Sequence, residues 1–226
     1  CSFATPFTRK GDIDEEAACR IVDRAISGGS DIVLLTLGDS LFTIMSDEEI
    51  FRLTKLVVEH VARRALVVAA DNMWWTGKLL EFAGYCRELG VDILMIRPPD
   101  WGKPTPESLA AHYAAAAEVI PVMLVGMPPI ETLEILANSS PGVVAFKEDM
   151  DLPYSSRVSR TYGDRWPMIG GGSKERHLML WPAGVKANFS LFILWAPEVT
   201  QTYWKALDRE DLKEANRIVD TYEAPF

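Results

Sequence analysis

Gly142-Val143-Val144-Ala145-Phe146-Lys147-Glu148-Asp149 is the stretch on which the fold turns. The apolar run is β-branched and aromatic, and Pro141-Gly142 bounds it, so it predicts a buried strand. Lys147 closes that strand at its C-terminal end, where barrels and open α/β sheets keep their chemistry. Lysine is strongly hydrated and is rarely buried without a reason. Two roles stand open at this point. In an apolar pocket a lysine's pKa falls, and the neutral amine attacks a carbonyl to give a Schiff base. Alternatively the side chain pairs with Glu148 or Asp149 and snorkels to water.

Working outward on both sides, strand-like runs alternate with helical ones. Toward the N-terminus lie apolar runs at 2–4, 32–36, 66–70, 92–96 and 122–125. Toward the C-terminus lie a short run at 168–169 and another at 185–189. Between them, helical spacing covers 14–27, about 46–61, 76–89 closed by Gly90, a segment opened by Thr105-Pro106, 131–137, 151–162 and 174–181. Ser46 and Glu49 form a capping box at the start of their helix. Two last helices are predicted over 197–207 and 211–222. Alternation of this kind implies parallel strands with right-handed crossovers. About eight such units in 226 residues predict an α/β fold, a (β/α)8 TIM barrel formed as a single domain over 1–226. The alternative is a doubly wound open sheet. Its nucleotide-binding forms lack support, since no GxGxxG follows the first run and no GxxxxGK[ST] occurs. The opening Cys1-Ser2-Phe3-Ala4 reads as the middle of a first strand, which predicts that part of that strand is missing.

Composition narrows the function. A formal net charge of -9 with scattered basic residues argues against nucleic acid as a partner. A small anionic substrate remains compatible, because a local pocket can be positive on an acidic protein. Three cysteines, Cys1, Cys19 and Cys86, form no disulfide framework and point to a reducing, cytoplasmic setting. No apolar run is long enough for a membrane span, and no secretory leader is read at the start. The histidines His60, His112 and His177 do not cluster, and no HExxH or Cys/His spacing marks a metal. No GxSxG supports a serine hydrolase.

On a barrel, the residues to inspect follow each strand. Thr36-Leu37-Gly38-Asp39-Ser40 offers a hydroxyl at Thr36 and a glycine at Gly38 that lets backbone N–H groups meet a carboxylate, or it is an ordinary turn. Pro98-Pro99-Asp100-Trp101 carries an aromatic that lines a pocket, packs at a subunit contact or covers the barrel rim. Trp74 and Trp75 either roof a pocket or pack. Gly170-Gly171-Gly172-Ser173 opens a helix and either binds an anion or simply turns.

Taken in order, these pieces resemble the dihydrodipicolinate synthase / N-acetylneuraminate lyase family of Schiff-base aldolases. The matching residues are Thr5-Pro6-Phe7-Thr8 with Gly11-Asp12-Ile13-Asp14, and Leu37-Gly38-Asp39-Ser40 with Ser46-Asp47-Glu48-Glu49. Pro98-Pro99, His112-Tyr113 and Phe146-Lys147-Glu148-Asp149 follow, then the stretch 184–190 and Ala196-Pro197-Glu198. The resemblance implies a (β/α)8 barrel and Lys147 as the Schiff-base lysine for pyruvate or another 2-keto acid. It implies a homo-oligomer, tetramer or dimer, and no cofactor and no metal. It also implies further C-terminal helices, near whose start the chain stops.

The departures from the family pattern bear on activity. One of two adjacent hydroxyls expected for the keto-acid carboxylate becomes Leu37, leaving Thr36. The proton-relaying tyrosine falls at Val125, and an arginine used for a dicarboxylic partner falls at Ile130. The expected chemistry is therefore a lysine-dependent lyase on a 2-keto acid rather than dihydrodipicolinate synthesis. Thr36 and Gly38 would hold the carboxylate, and Gly170 and Ser190 would contact the distal part of the substrate. A water, or a residue from another loop such as Asp39 or Asp100, would stand in for the missing tyrosine, and the sequence does not choose among them. The competing expectations are a non-catalytic, metabolite-binding member and a dehydratase of a keto-deoxy sugar acid.

Overall fold

A computed structural model describes residues 1–99 and 102–225. Seven parallel strands form one sheet in sequential order: β1 (Ile32–Leu34), β2 (Leu66–Ala70), β3 (Ile93–Ile96), β4 (Val122–Val125), β5 (Val143–Glu148), β6 (Met168–Gly170) and β7 (Ala187–Asn188). The helices are α1 (Glu15–Ser27), α2 (Asp47–Val61), α3 (Thr76–Leu89), α4 (Pro106–Ala117), α5 (Ile130–Ser139), α6 (Leu152–Tyr162) and α7 (Lys174–Leu180). They are completed by α8 (Phe192–Trp195), α9 (Pro197–Asp208) and α10 (Leu212–Tyr222). Each strand is followed by a helix, so the crossovers demanded by parallel pairing are present throughout.

Local chemistry sets the helix ends. Asp14 accepts from the Ala17 N–H at 2.9 Å and starts α1. The Ser46/Glu49 capping box forms with both hydrogen bonds and starts α2. Pro106 sits in the first turn of α4 behind the Thr105 cap. Gly90 ends α3 with φ of 85°, a conformation that costs a glycine little.

The first predicted run is strand-like over a single residue. Ser2 pairs in parallel with Leu34, supported by Phe3 N–H to Leu34 O and Leu34 N–H to Cys1 O, both 2.8 Å. It thus lies beside β1 on the edge opposite β2. Among the described residues, no backbone ladder joins this segment to β7. A cavity of about 500 Å³ lies between them, lined by Cys1, Ile32, Ala187, Asn188, Gln201 and Trp204 among others. Seven parallel strands with their helices are therefore present, and ring closure is not directly formed. The strand predicted at 185–189 shortens to Ala187–Asn188, and α8 appears where no helix was expected. Four residues give too little periodicity to read.

The interior of the sheet is dry. Val68, Leu94, Val122, Met123, Leu124 and Phe146 are inaccessible, as are Leu53, Phe82 and Leu133 on the covering helices. A second apolar cluster, Val199, Tyr203, Ala206, Leu207, Ala215, Ile218 and Val219, forms where α9 meets α10. No helix among the described residues is long and apolar enough to cross a membrane.

Candidate active site

Lys147 is the fifth residue of β5 and points into a cavity of about 520 Å³ at the C-terminal ends of the strands. The side chain is 8% exposed. Strand alternation sends the next residue the other way. Glu148 faces the helix layer, where Arg176 Nη2 of α7 donates to its Oε2 at 2.5 Å and to Ser155 Oγ of α6 at 2.9 Å. Burial pushes the Glu148 carboxyl above the usual range, and the Arg176 and Ser155 hydrogen bonds pull it back. Two residues on, alternation returns to the cavity, and Asp149 accepts a hydrogen bond from Lys147 Nζ. Of the two partners left open by the sequence, Lys147 takes Asp149, and Glu148 clamps α6 and α7 to the strand end.

Gly171 explains how this pair fits. A Cβ there would lie 2.6 Å from Asp149 Cβ and 2.7 Å from Lys147 Nζ, so only glycine leaves room. Its N–H donates to Glu148 O at 2.7 Å and holds the turn against β5. Gly170 itself ends β6, opposite Glu148, and does not line the cavity; its successors Gly171, Gly172 and Ser173 do. The anion site expected at the start of α7 is occupied by the protein's own carboxylate. Glu223, just past α10, accepts from the Lys174 N–H at 2.6 Å and from Lys174 Nζ at 2.7 Å. Lys174 Nζ also reaches Ser190 Oγ at 3.3 Å and lies 4.2 Å from the Phe192 ring centroid. Burial pushes the Lys174 amine below the usual range, and Glu223 opposes this. Ser190, Phe192 and Glu223 all line the Lys147 cavity.

The turn after β1 lies on the other side. Asp39 lines the cavity, and Thr36, Leu37 and Gly38 are not among its lining residues. Thr36 Oγ1 accepts from the Asp39 N–H at 2.8 Å, and the Thr36 N–H donates to Ser40 Oγ at 2.9 Å. Ser40 Oγ in turn donates to Phe3 O at 2.6 Å, tying the turn to the N-terminal segment. Gly38 has open space over its Cα. Val125 is the register partner of Lys147 on β4 and is 8% exposed. Asp100 and Trp101 lie outside the described residues. Trp74 packs, with its Nε1 on Asp47 Oδ1 at 2.9 Å and its ring edge-on to Phe82, while Trp75 lies over Gly77. Among the described residues, no group of three or more His, Cys, Asp or Glu side chains is placed to hold a metal.

The family model described as the dihydrodipicolinate synthetase family matches residues 1–222. The chain belongs to that family. A 4-hydroxy-tetrahydrodipicolinate synthase of Agrobacterium fabrum is 31% identical over 158 residues, covering 65% of this chain and 53% of the relative. One from Geobacter sp. (strain M21) is 28% identical over 228 residues, covering 96% of this chain and 77% of the relative. The chain thus spans only about half the length of the former. Among solved structures, dihydrodipicolinate synthase from Bacillus clausii superposes with a TM-score of 0.86 at 25% identity, over 97% of this chain and 76% of that one. N-acetylneuraminate lyase from Mycoplasma synoviae gives 0.86 at 19% identity, over 98% of this chain and 78% of that one, which speaks to the fold alone.

Proposed function

We propose that the protein is a class-I lyase that forms a Schiff base between Lys147 and pyruvate or another 2-keto acid. The observation that carries this is a lysine buried at the C-terminal end of a barrel-type strand, facing a cavity, with a carboxylate on its amine. The reading adds closure of the (β/α)8 ring through the N-terminal segment, a homo-oligomer, and cytoplasmic residence. In this chemistry the amine condenses with the keto carbon, and the resulting iminium withdraws electrons from the neighbouring bond. Lysine supplies the electron sink, so the reading asks for no cofactor. Of the expected substrate contacts, Ser190 lines the cavity and would receive the distal groups, whereas Thr36 and Gly38 would act through the turn that places Asp39 on the cavity wall. Apolar Leu37, Val125 and Ile130 favour a partner less polar than aspartate semialdehyde.

Incubation with a panel of 2-keto acids and borohydride, followed by peptide mapping, is expected to place a reduced adduct on Lys147. No adduct with any of them would end the lyase reading and leave the non-catalytic one, which the apolar Val125 beside Lys147 favours. In the same preparation, pyruvate with aspartate semialdehyde is expected to give negligible turnover. Rates in the common enzymatic range of roughly 1–10³ per second would show that dihydrodipicolinate synthesis survives these replacements.

A further inference from the structure

We infer that Asp149 is the catalytic acid–base that moves protons to and from the Lys147 amine during imine formation. The inference rests on the Schiff-base reading above and assigns a residue to its proton transfers. Three observations carry it. Asp149 Oδ2 is in hydrogen-bond contact with Nζ, the atom that reacts. Both side chains line the cavity, and Asp149 is 28% exposed against 8% for Lys147, so the carboxyl exchanges protons with solvent more readily than the buried amine. Gly171 passes so close that any side chain there would strike Lys147 Nζ and Asp149 together, which reserves this space for the pair.

The other groups near the site are committed elsewhere. Glu148 points away into Arg176. Glu223 is held by Lys174. The Tyr154 hydroxyl donates to Pro128 O at 2.6 Å. Val125, the strand neighbour of Lys147, carries no proton. Asp39 lines the same cavity, and among the described residues Asp149 is the carboxylate hydrogen-bonded to Lys147.

The proton balance closes without a further reagent. Lys147 begins as an ammonium and gives one proton to the Asp149 carboxylate. The free amine attacks the keto carbon; the N–C bond forms as the carbonyl electron pair moves to oxygen. A proton passes from nitrogen to that oxygen, giving the neutral carbinolamine. Protonated Asp149 then gives its proton to the hydroxyl, which leaves as water while the nitrogen lone pair forms C=N. Ammonium and ketone have become iminium and water, and Asp149 is again a carboxylate.

The test is the rate of borohydride-trappable adduct with pyruvate in Asp149→Asn, with melting as the check on folding. Loss of a positioned acid–base predicts a fall of about 10²-fold or more. A purely electrostatic role predicts the opposite sign, because removing a negative charge beside an ammonium favours the neutral, reactive amine. The pH dependence of trapping is expected to change shape in Asp149→Asn. Formate is expected to restore rate to Asp149→Ala, which a merely structural role would not allow. A folded Asp149→Asn that traps as fast as the wild type, or faster, overturns the inference and leaves the Schiff-base reading intact. No trapping in the wild type overturns both. Should Asp149→Asn fail to fold, formate rescue of Asp149→Ala decides, with no rescue counting against the inference.

Discussion

Val125 and Lys147 are register partners in the parallel pairing of β4 and β5, so the strand neighbour of the amine is a buried hydrocarbon. Val125→Tyr would set a phenol there. Proton transfer needs a donor within about 2.6–3.2 Å, directly or through one water. The larger ring also overpacks a buried position, which typically costs about 1–3 kcal/mol. The single variant is expected to melt lower and, with Asp149 in place, to form imine only slightly faster. In an Asp149→Asn background the same tyrosine is expected to recover roughly tenfold of the lost rate, since general acid–base help is worth about 10²–10⁴-fold. Quench trapping of the four proteins reads this directly. Equal gains in both backgrounds would mean that the tyrosine and Asp149 serve different steps.

Helix α7 shows how an element is held by groups that sequence patterns hide. His177 is inaccessible, with Nε2 3.1 Å from Val185 O and Nδ1 2.8 Å from the Tyr203 hydroxyl. A carbonyl only accepts, so Nε2 carries the proton and neutral Nδ1 accepts from Tyr203. Burial lowers the imidazole pKa to about 4. The folded value lies below the ordinary value near 6.5, so this contribution is full above that pH and is lost as acid approaches pH 4, by about 3 kcal/mol in all. Asp71, at the end of β2, runs the other way. Burial raises it to about 7 against the Arg97 N–H at 3.1 Å, so its contribution is full below about pH 4 and fades as pH rises toward 7. Urea unfolding from pH 7 to 5 is expected to show stability falling in Asp71→Asn and rising in His177→Gln, each relative to wild type; parallel pH profiles would refute both assignments. Element ends were legible because caps are local: Ser46 with Glu49, Thr105-Pro106 and Gly90 each act within a few residues, while Asp14, read as the first helical residue, is the cap just outside α1. The sequence left the partner of Lys147 open between Glu148 and Asp149; strand alternation, which puts 147 and 149 on one face and 148 on the other, is what decides it in the structure. Nothing local announces Tyr203 for His177 or Glu223 for Lys174, which are 26 and 49 residues away. Such pairings follow from how the layers stack.

At the scale of the molecule, the α9–α10 unit owns an apolar cluster separate from the main core and docks on α7. An ion pair marks this junction: Lys174 is 1% exposed and Glu223 is 11% exposed. Taking both charges from water costs several kcal/mol, and their attraction and hydrogen bonds offset that cost. The pair therefore specifies where α10 lands more than it adds to stability. Removing one partner is a different matter, because a lone buried ammonium remains. Glu223→Gln is expected to lower the unfolding free energy by about 3 kcal/mol at neutral pH. The Lys174→Met/Glu223→Leu pair is expected to return to within about 1 kcal/mol of the wild type, since a hydrophobic replacement of similar volume avoids the desolvation cost. The pH dependence supplies the sign. With Glu223 gone, burial acts unopposed on Lys174 and depresses its folded pKa further, so the deficit of Glu223→Gln shrinks as pH rises and the amine becomes neutral. Denaturant titrations of the four proteins at two pH values measure both effects. A double variant as unstable as Glu223→Gln would show that the charges themselves, and not the packing of α10 against α7, hold the C-terminal helices over the Lys147 cavity.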